Sequence, residues 1–291
     1  MPDKSADDNS ADGDHVTKPG LGKRLETFAG VAAPTTLATA LLFYFGYVAT
    51  LARYLHFGVD LSTLNLTTTE FLLLGTEVIF PAIAVLLVLT VAGWATHRGV
   101  RRVLAAGRSL VGRVLAIVIF LVGASMFVRG TIGVLSIAIA RDEFPGITPL
   151  TFGLGLPIAA YGVWTLRGTG KMPAVLMVVL VGIATLGLFW ATNSFAAAYG
   201  RGRANQVAAA LHTRPAVVLD TKERLYLTLP GVTETALPAS EGQTFRYRYR
   251  GLHVLIAAGG RLFLVPAHWN GTPGTVVVPY GDAARIQFFP G

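Results

Sequence analysis

The chain has 291 residues, 53% of them apolar and only 14% charged, against roughly 25% charged in a soluble domain. A mean hydropathy of +0.56 and the absence of cysteine exclude an ordinary cytosolic enzyme, a disordered regulator and a disulfide-stapled secreted module. They also exclude iron–sulfur, thiol and cysteine–zinc chemistry. The net charge of +8, carried mostly by arginine, is read first as a topology determinant rather than a nucleic-acid footprint.

Residues 1–20 hold Asp3, Asp7, Asp8, Asp12 and Asp14 without apolar periodicity, so a disordered polar tail is expected there. It is no signal peptide, because the apolar stretch that follows is long enough to span a membrane. About 20 apolar residues cross a hydrocarbon layer of roughly 30 Å. Five segments meet that length, at about 28–52, 71–96, 111–140, 145–166 and 173–199. Continuous apolar runs rather than alternation favour helices over a barrel. A transmembrane helical domain over 21–203 follows, with about five spans.

Basic residues in short loops set orientation. Arg98, Arg101, Arg102, Arg108 and Arg113 surround the connection between spans two and three, and Arg167 and Lys171 lie between spans four and five. With Lys18, Lys23 and Arg24 they predict a cytoplasmic N-terminus, and five spans then put the C-terminus outside. Arg201 and Arg203, just after span five, oppose that orientation. Trp94 and Trp164 fall at predicted inner ends and Trp190 near an outer one, as headgroup-level aromatics should. Gly182, Ala184, Gly187 and Ala191 along span five allow close helix approach, within the bundle or in a homo-oligomer. Thr67 to Glu70 matches a capping box at the start of span two.

From about residue 204 the pattern changes to a C-terminal β-rich domain over 204–291, entered by a helical continuation of span five. Candidate strands are 216–220, 224–228, 244–250, 252–257, 261–265, 276–279 and 285–289. Gly259-Gly260 is a two-residue hairpin signal. Asn270-Gly271-Thr272 reads as a turn. About 80 residues make a marginal free-standing core, so packing against the bundle is expected.

Three features bear on chemistry. Glu77 lies six residues inside span two, about 9 Å deep at 1.5 Å per residue, where an ionisable group is costly. Arg129 is its expected ion-pair partner, because Glu77 is the sole carboxylate inside any predicted span. The alternative for Arg129 is to snorkel at the outer boundary. Phe245-Arg246-Tyr247-Arg248-Tyr249-Arg250 alternates strictly, placing aromatics on one strand face and Arg246, Arg248 and Arg250 on the other. That second face is either plainly solvated or a strip for anionic lipid headgroups or envelope polymers. The six histidines lack ligand spacing and no hydrolase, zinc-protease or P-loop motif occurs, so neither metal nor cofactor is expected.

Residues 44–74 (YFGYVATLARYLHFGVDLSTLNLTTTEFLLL), together with RLYLTLPGV, YRYRGLHVLI and GGRLFLVPAHW in the C-terminal third, resemble a group of uncharacterised multi-pass membrane proteins from actinobacteria. The resemblance covers under half of the chain and implies a bacterial plasma-membrane location without transferring any functional residue. The expected class is a non-enzymatic envelope protein whose β domain binds a partner or anionic surface, with no nucleic acid involved. The alternative is a small transporter or channel component using Glu77 and Arg129.

Overall fold

The computed structural model describes residues 21–106, 109–136, 143–168, 172–238, 242–269, 271 and 274–290. The expected tail at 1–20 and most of the expected 270–272 turn lie outside them. Five helices are long and apolar enough to cross a membrane: α1 (Leu21–Leu55), α2 (Thr68–Ala105), α3 (Ser109–Leu135), α4 (Ile147–Arg167) and α5 (Ala174–Ala209). The chain divides after Ala40 into two units. Of the first, residues 33–40 are helical and exposed. The rest of this section concerns the unit from Leu41 onward.

Local chemistry accounts for the helix ends. Thr67 caps α2 by accepting from the Glu70 N–H, while the Glu70 carboxylate accepts from the Thr67 N–H at 2.6 Å, the reciprocal arrangement the sequence predicts. Asp60 caps the single turn Leu61–Thr63 in the α1–α2 connection, accepting from the Ser62 N–H at 2.8 Å. α5 runs unbroken past the predicted span to Ala209, so the helical continuation is real. α3 ends at Leu135, and the last residues of the predicted span, 137–140, lie outside the described residues.

Helices without a hydrophobic force between them pack through small residues. Gly46 of α1 and Gly75 of α2 face one another's backbone: a Cβ at Gly46 would strike the Phe71 carbonyl oxygen, and one at Gly75 the Leu42 carbonyl oxygen. α3 and α4 form the tightest pair, and Gly187 of α5 lies against Gly153 of α4. Of the small residues expected to face neighbours on span five, Gly187 and Ala191 do, whereas Gly182 opens onto empty space.

The C-terminal residues form one antiparallel sheet of six strands: β1 (Ala216–Thr221), β2 (Thr233–Ala236), β3 (Tyr247–Ala258), β4 (Arg261–Pro266), β5 (Val276–Pro279) and β6 (Ala284–Phe289). Strand order is β5-β4-β3-β1-β6, with β2 also on β3. The predicted runs 244–250 and 252–257 are one long strand, paired first with β2 and then with β4. Gly259 and Gly260, at φ of 56° and 71°, make the β3–β4 hairpin turn that their sequence announces. Residues 224–228 are not a strand, contrary to their apolar alternation. Tyr226 takes a positive φ of 50°, and the Leu225 N–H donates to the Tyr249 hydroxyl at 2.7 Å rather than to a ladder. β2 escapes prediction because its residues, Thr-Glu-Thr-Ala, are all exposed.

Each sheet face has its own core. One buries Val217, Leu219, Tyr249, Leu252, Leu262 and Leu264 under Leu227 and Val232. The other presents Leu255, Phe263 and Val265 to Tyr54 and Phe57 at the end of α1, Leu61 and Leu64 in the α1–α2 connection, Phe71 of α2 and Ala204 of α5. The Thr275 hydroxyl donates to the Phe57 carbonyl at 2.7 Å across this junction. The sheet is therefore seated on the helix ends, as its marginal size predicts.

The close α1–α2 contact predicts that Gly46→Val loses about 1–3 kcal/mol or more by overpacking. Gly182→Ala, with no neighbour for its methyl group, should stay within roughly 0.5 kcal/mol of wild type. Thermal unfolding of both variants in detergent checks the contrast; equal losses would contradict the packing described.

Candidate functional site

Glu77 sits in the third turn of α2, near the sheet-bearing end of the bundle. Its carboxylate accepts from the Tyr199 hydroxyl at 2.7 Å and from the Arg203 guanidinium at 3.3 Å, both on α5. The side chains of Glu77 and Arg203 are 43% and 47% exposed, so the pair lies on the bundle surface. The Arg203 guanidinium also stands over the Tyr199 ring at 5.8 Å.

Arg129 is not the partner of Glu77. It lies toward the C-terminal end of α3 and pairs with Glu143, just before α4, whose carboxylate also accepts from the Thr148 hydroxyl at 2.8 Å. The expected pair fails because α3 is bound most closely to α4, while α2 meets α5 at the level of Glu77. Arg129 is thus met by an acid of the chain itself, in the connection before α4. Glu143 lay outside the predicted spans, and its proximity to the start of span four was the only signal that could have found it.

The arginine strip divides. Arg248 makes a two-pronged bond to Asp220 on β1, at 2.8 and 3.0 Å, and Arg285 on β6 binds the same carboxylate at 2.5 and 3.1 Å. Asp220 is directly opposite both in the ladders. Its side chain is 0% exposed, while those of Arg248 and Arg285 are 25% and 48% exposed. The Arg248 hydrogen bonds, reinforced by Arg285, hold the Asp220 carboxyl below the usual carboxylate range against the opposing pull of burial. Arg248 is therefore committed to an internal acid and is no free anion site. Arg246 and Arg250 are exposed, and no ion pair joins either to another described residue.

The aromatic side of the strip holds at Tyr249 but not at Phe245, whose ring lies under the Arg285 guanidinium at 5.1 Å. Tyr249 is fully buried, and its hydroxyl donates to Glu234 at 3.2 Å, which in turn pairs with Arg224 at 2.6 Å. Strand alternation puts Asp220, Arg248 and Arg285 on the sheet face opposite Leu219 and Tyr249. That is the face which, further along β3 and β4, seats on the helices.

Among the described residues, no three histidine, aspartate or glutamate side chains converge as metal ligands. A groove of about 550 Å³ at the sheet-bearing end of α3, α4 and α5 is lined by Glu143, Thr148, Asn193 and Arg201. Asn193 accepts from the Tyr44 hydroxyl at 3.1 Å. No protein-family model matches the chain, and no curated protein or solved structure matches it significantly.

Two predictions follow from these partners. Arg129→Glu and Glu143→Arg should each lower the yield of folded protein, and the double swap should recover much of it, whereas Glu77→Arg should give no rescue of Arg129→Glu. Detergent-solubilised yield by fluorescence size exclusion reads this, and rescue by residue 77 instead of 143 would reverse the assignment. Second, Asp220→Asn should cost about 2–3 kcal/mol at neutral pH, below the 3–5 kcal/mol of a fully buried pair because the arginines are part-exposed. A carboxyl with a lowered folded pKa contributes fully above its ordinary value near 4 and loses that contribution as pH falls through the folded value. The gap between wild type and variant, read as protease resistance of the β domain in urea, should therefore close in acid. A gap that widens in acid would contradict the sign.

Proposed function

We propose that this is a bacterial plasma-membrane protein of the cell envelope, non-enzymatic, in which five helices anchor a C-terminal sheet that engages an anionic surface. The N-terminus is cytoplasmic and the sheet extracytoplasmic. One observation carries the proposal: beyond its helix-docked patch, the same sheet face bears Arg248, Arg250 and Arg285 with a single carboxylate, Asp220, which holds Arg248 and Arg285, and the exposed Arg246 lies just before the strand. One buried anion shared by two arginines, with Arg250 left unpaired beside them, leaves surplus positive charge on this side, for which phospholipid headgroups would supply acceptors. The orientation draws support from Arg98, Arg101 and Arg102 at the far end of α2 from the sheet. A transporter built on a Glu77–Arg129 pair has no comparable support, since each residue has another partner.

The chain's lack of cysteine makes one substitution sufficient as a test. Thr235→Cys lies exposed on β2 directly opposite Arg248. A membrane-impermeant maleimide should label it in intact cells. A polarity-sensitive fluorophore there should shift to the blue in phosphatidylglycerol nanodiscs relative to phosphatidylcholine ones. High salt should erase the shift, as should Arg246→Gln with Arg250→Gln. Labelling only after lysis would overturn the orientation, and identical spectra in the two lipids would overturn the anionic-surface role.

A further inference from the structure

At the end of the bundle remote from the sheet, a cleft of about 860 Å³ opens between the last turns of α2 and α4 and the start of α5. Its volume is that of a small-ligand site. His97 and Arg101 come from α2, Tyr161 and Trp164 from α4, and Met172 and Met177 flank the beginning of α5. His97 Nδ1 and the Tyr161 hydroxyl are hydrogen-bonded at 2.8 Å, tying α2 to α4 across the cleft floor.

The charge of this cleft calls for an anion that the described residues do not provide. Arg101 is exposed, and no ion pair joins it to another described residue. No Asp or Glu occurs between Glu77 and Asp142, or between Glu143 and Asp220. The helices and connections that build this end therefore carry seven basic residues, Arg98 to Arg113 with Arg167 and Lys171, and no carboxylate to meet them. The walls are apolar, with Val100 and Leu104 beside pliable methionines that accommodate an alkyl chain.

We infer that this cleft is a binding site for one anionic phospholipid of the cytoplasmic leaflet. Its phosphate oxygens accept from Arg101, and an acyl chain lies along Leu104 and the two methionines beside Trp164. Basic pockets between helices on the cytoplasmic side are suited to such headgroups. The inference rests on the proposed orientation of the helices but not on what the sheet binds.

The test uses the full chain with Trp94, Trp190 and Trp269 replaced by phenylalanine, so that Trp164 alone fluoresces. The protein is reconstituted into vesicles of phosphatidylcholine with a minority of phosphatidylglycerol, bromines being carried by one lipid or the other. Quenching per lipid should favour brominated phosphatidylglycerol about fivefold, the weight of one arginine at an anionic lipid surface. Arg101→Gln should abolish the preference, while Arg167→Gln, of equal charge change but outside the cleft lining, should keep it. Equal quenching by the two lipids would mean merely annular contact and overturn the site. So would an equal loss in Arg167→Gln, which would point to general surface charge. If the triple replacement does not reconstitute, native mass spectrometry of the wild-type chain and of Arg101→Gln decides. One phosphatidylglycerol retained by the first and lost by the second is expected; retention by both, by neither, or of a peptide instead overturns the site.

Discussion

Everything outside the bundle depends on the apolar junction between the sheet and the helix ends. Phe57, Leu64, Phe263 and Val265 are each fully buried within one continuous cluster drawn from α1, the α1–α2 connection, α2, α5, β3 and β4. Burial of each such side chain is worth about 1.5–3 kcal/mol. Neither partner could cover its own share alone: the connection is only twelve residues (56–67), and the sheet has its other face occupied by a second core. A boundary between transmembrane and β parts at residue 203 is consequently one of composition, not of folding. Ala204, the first residue beyond it, is buried in the same cluster as Phe263.

That junction determines what the sheet can present. A domain tethered by a flexible linker could expose any face, but this one is held with β4 and the C-terminal half of β3 against the helices. Its far side is closed by Leu227 and Val232. The N-terminal half of β3 projects past the junction, carrying its arginines on the helix-facing side. The break between the halves falls at Gly251, where φ is 84° and where a Cβ would strike the Gly231 carbonyl oxygen. The β1 pairing shifts register over the same stretch, between Val217 and Leu219, as a bulge does.

The helices were legible in the sequence because each is a long apolar run, the pattern that crossing a bilayer would demand. The Thr67 capping box and the Gly259-Gly260 turn were legible because their chemistry is local. The ion pairs were not. Glu77 and Arg203 are separated by 126 residues, and only the lateral order of the helices brings them together. Asp220 was hidden more thoroughly: it closes the run Ala-Val-Val-Leu-Asp, and its role depends on two ladder registers that place Arg248 and Arg285 opposite it. Residues 224–228 misled in the other direction. Their alternation serves the core, with Leu227 packed on it, but without the hydrogen bonds of a strand.

The charges show a consistent economy. Asp60 and Glu70 are occupied in caps, and Glu77, Glu143, Asp220 and Glu234 each hold an arginine. In a chain with 16 acidic and 24 basic residues, the exposed acids outside these pairs, Glu223 and Asp282, are fewer than the unpaired arginines among the described residues. That surplus collects in two places, around β3 on the sheet and at the remote end of α2 and α4, separated by the length of the bundle. Exposed ion pairs contribute little to stability, so unmatched arginines at the bundle's two ends are poorly explained as devices for folding. On the proposed membrane reading, headgroups at the two levels would supply acceptors, with an attraction several-fold per residue.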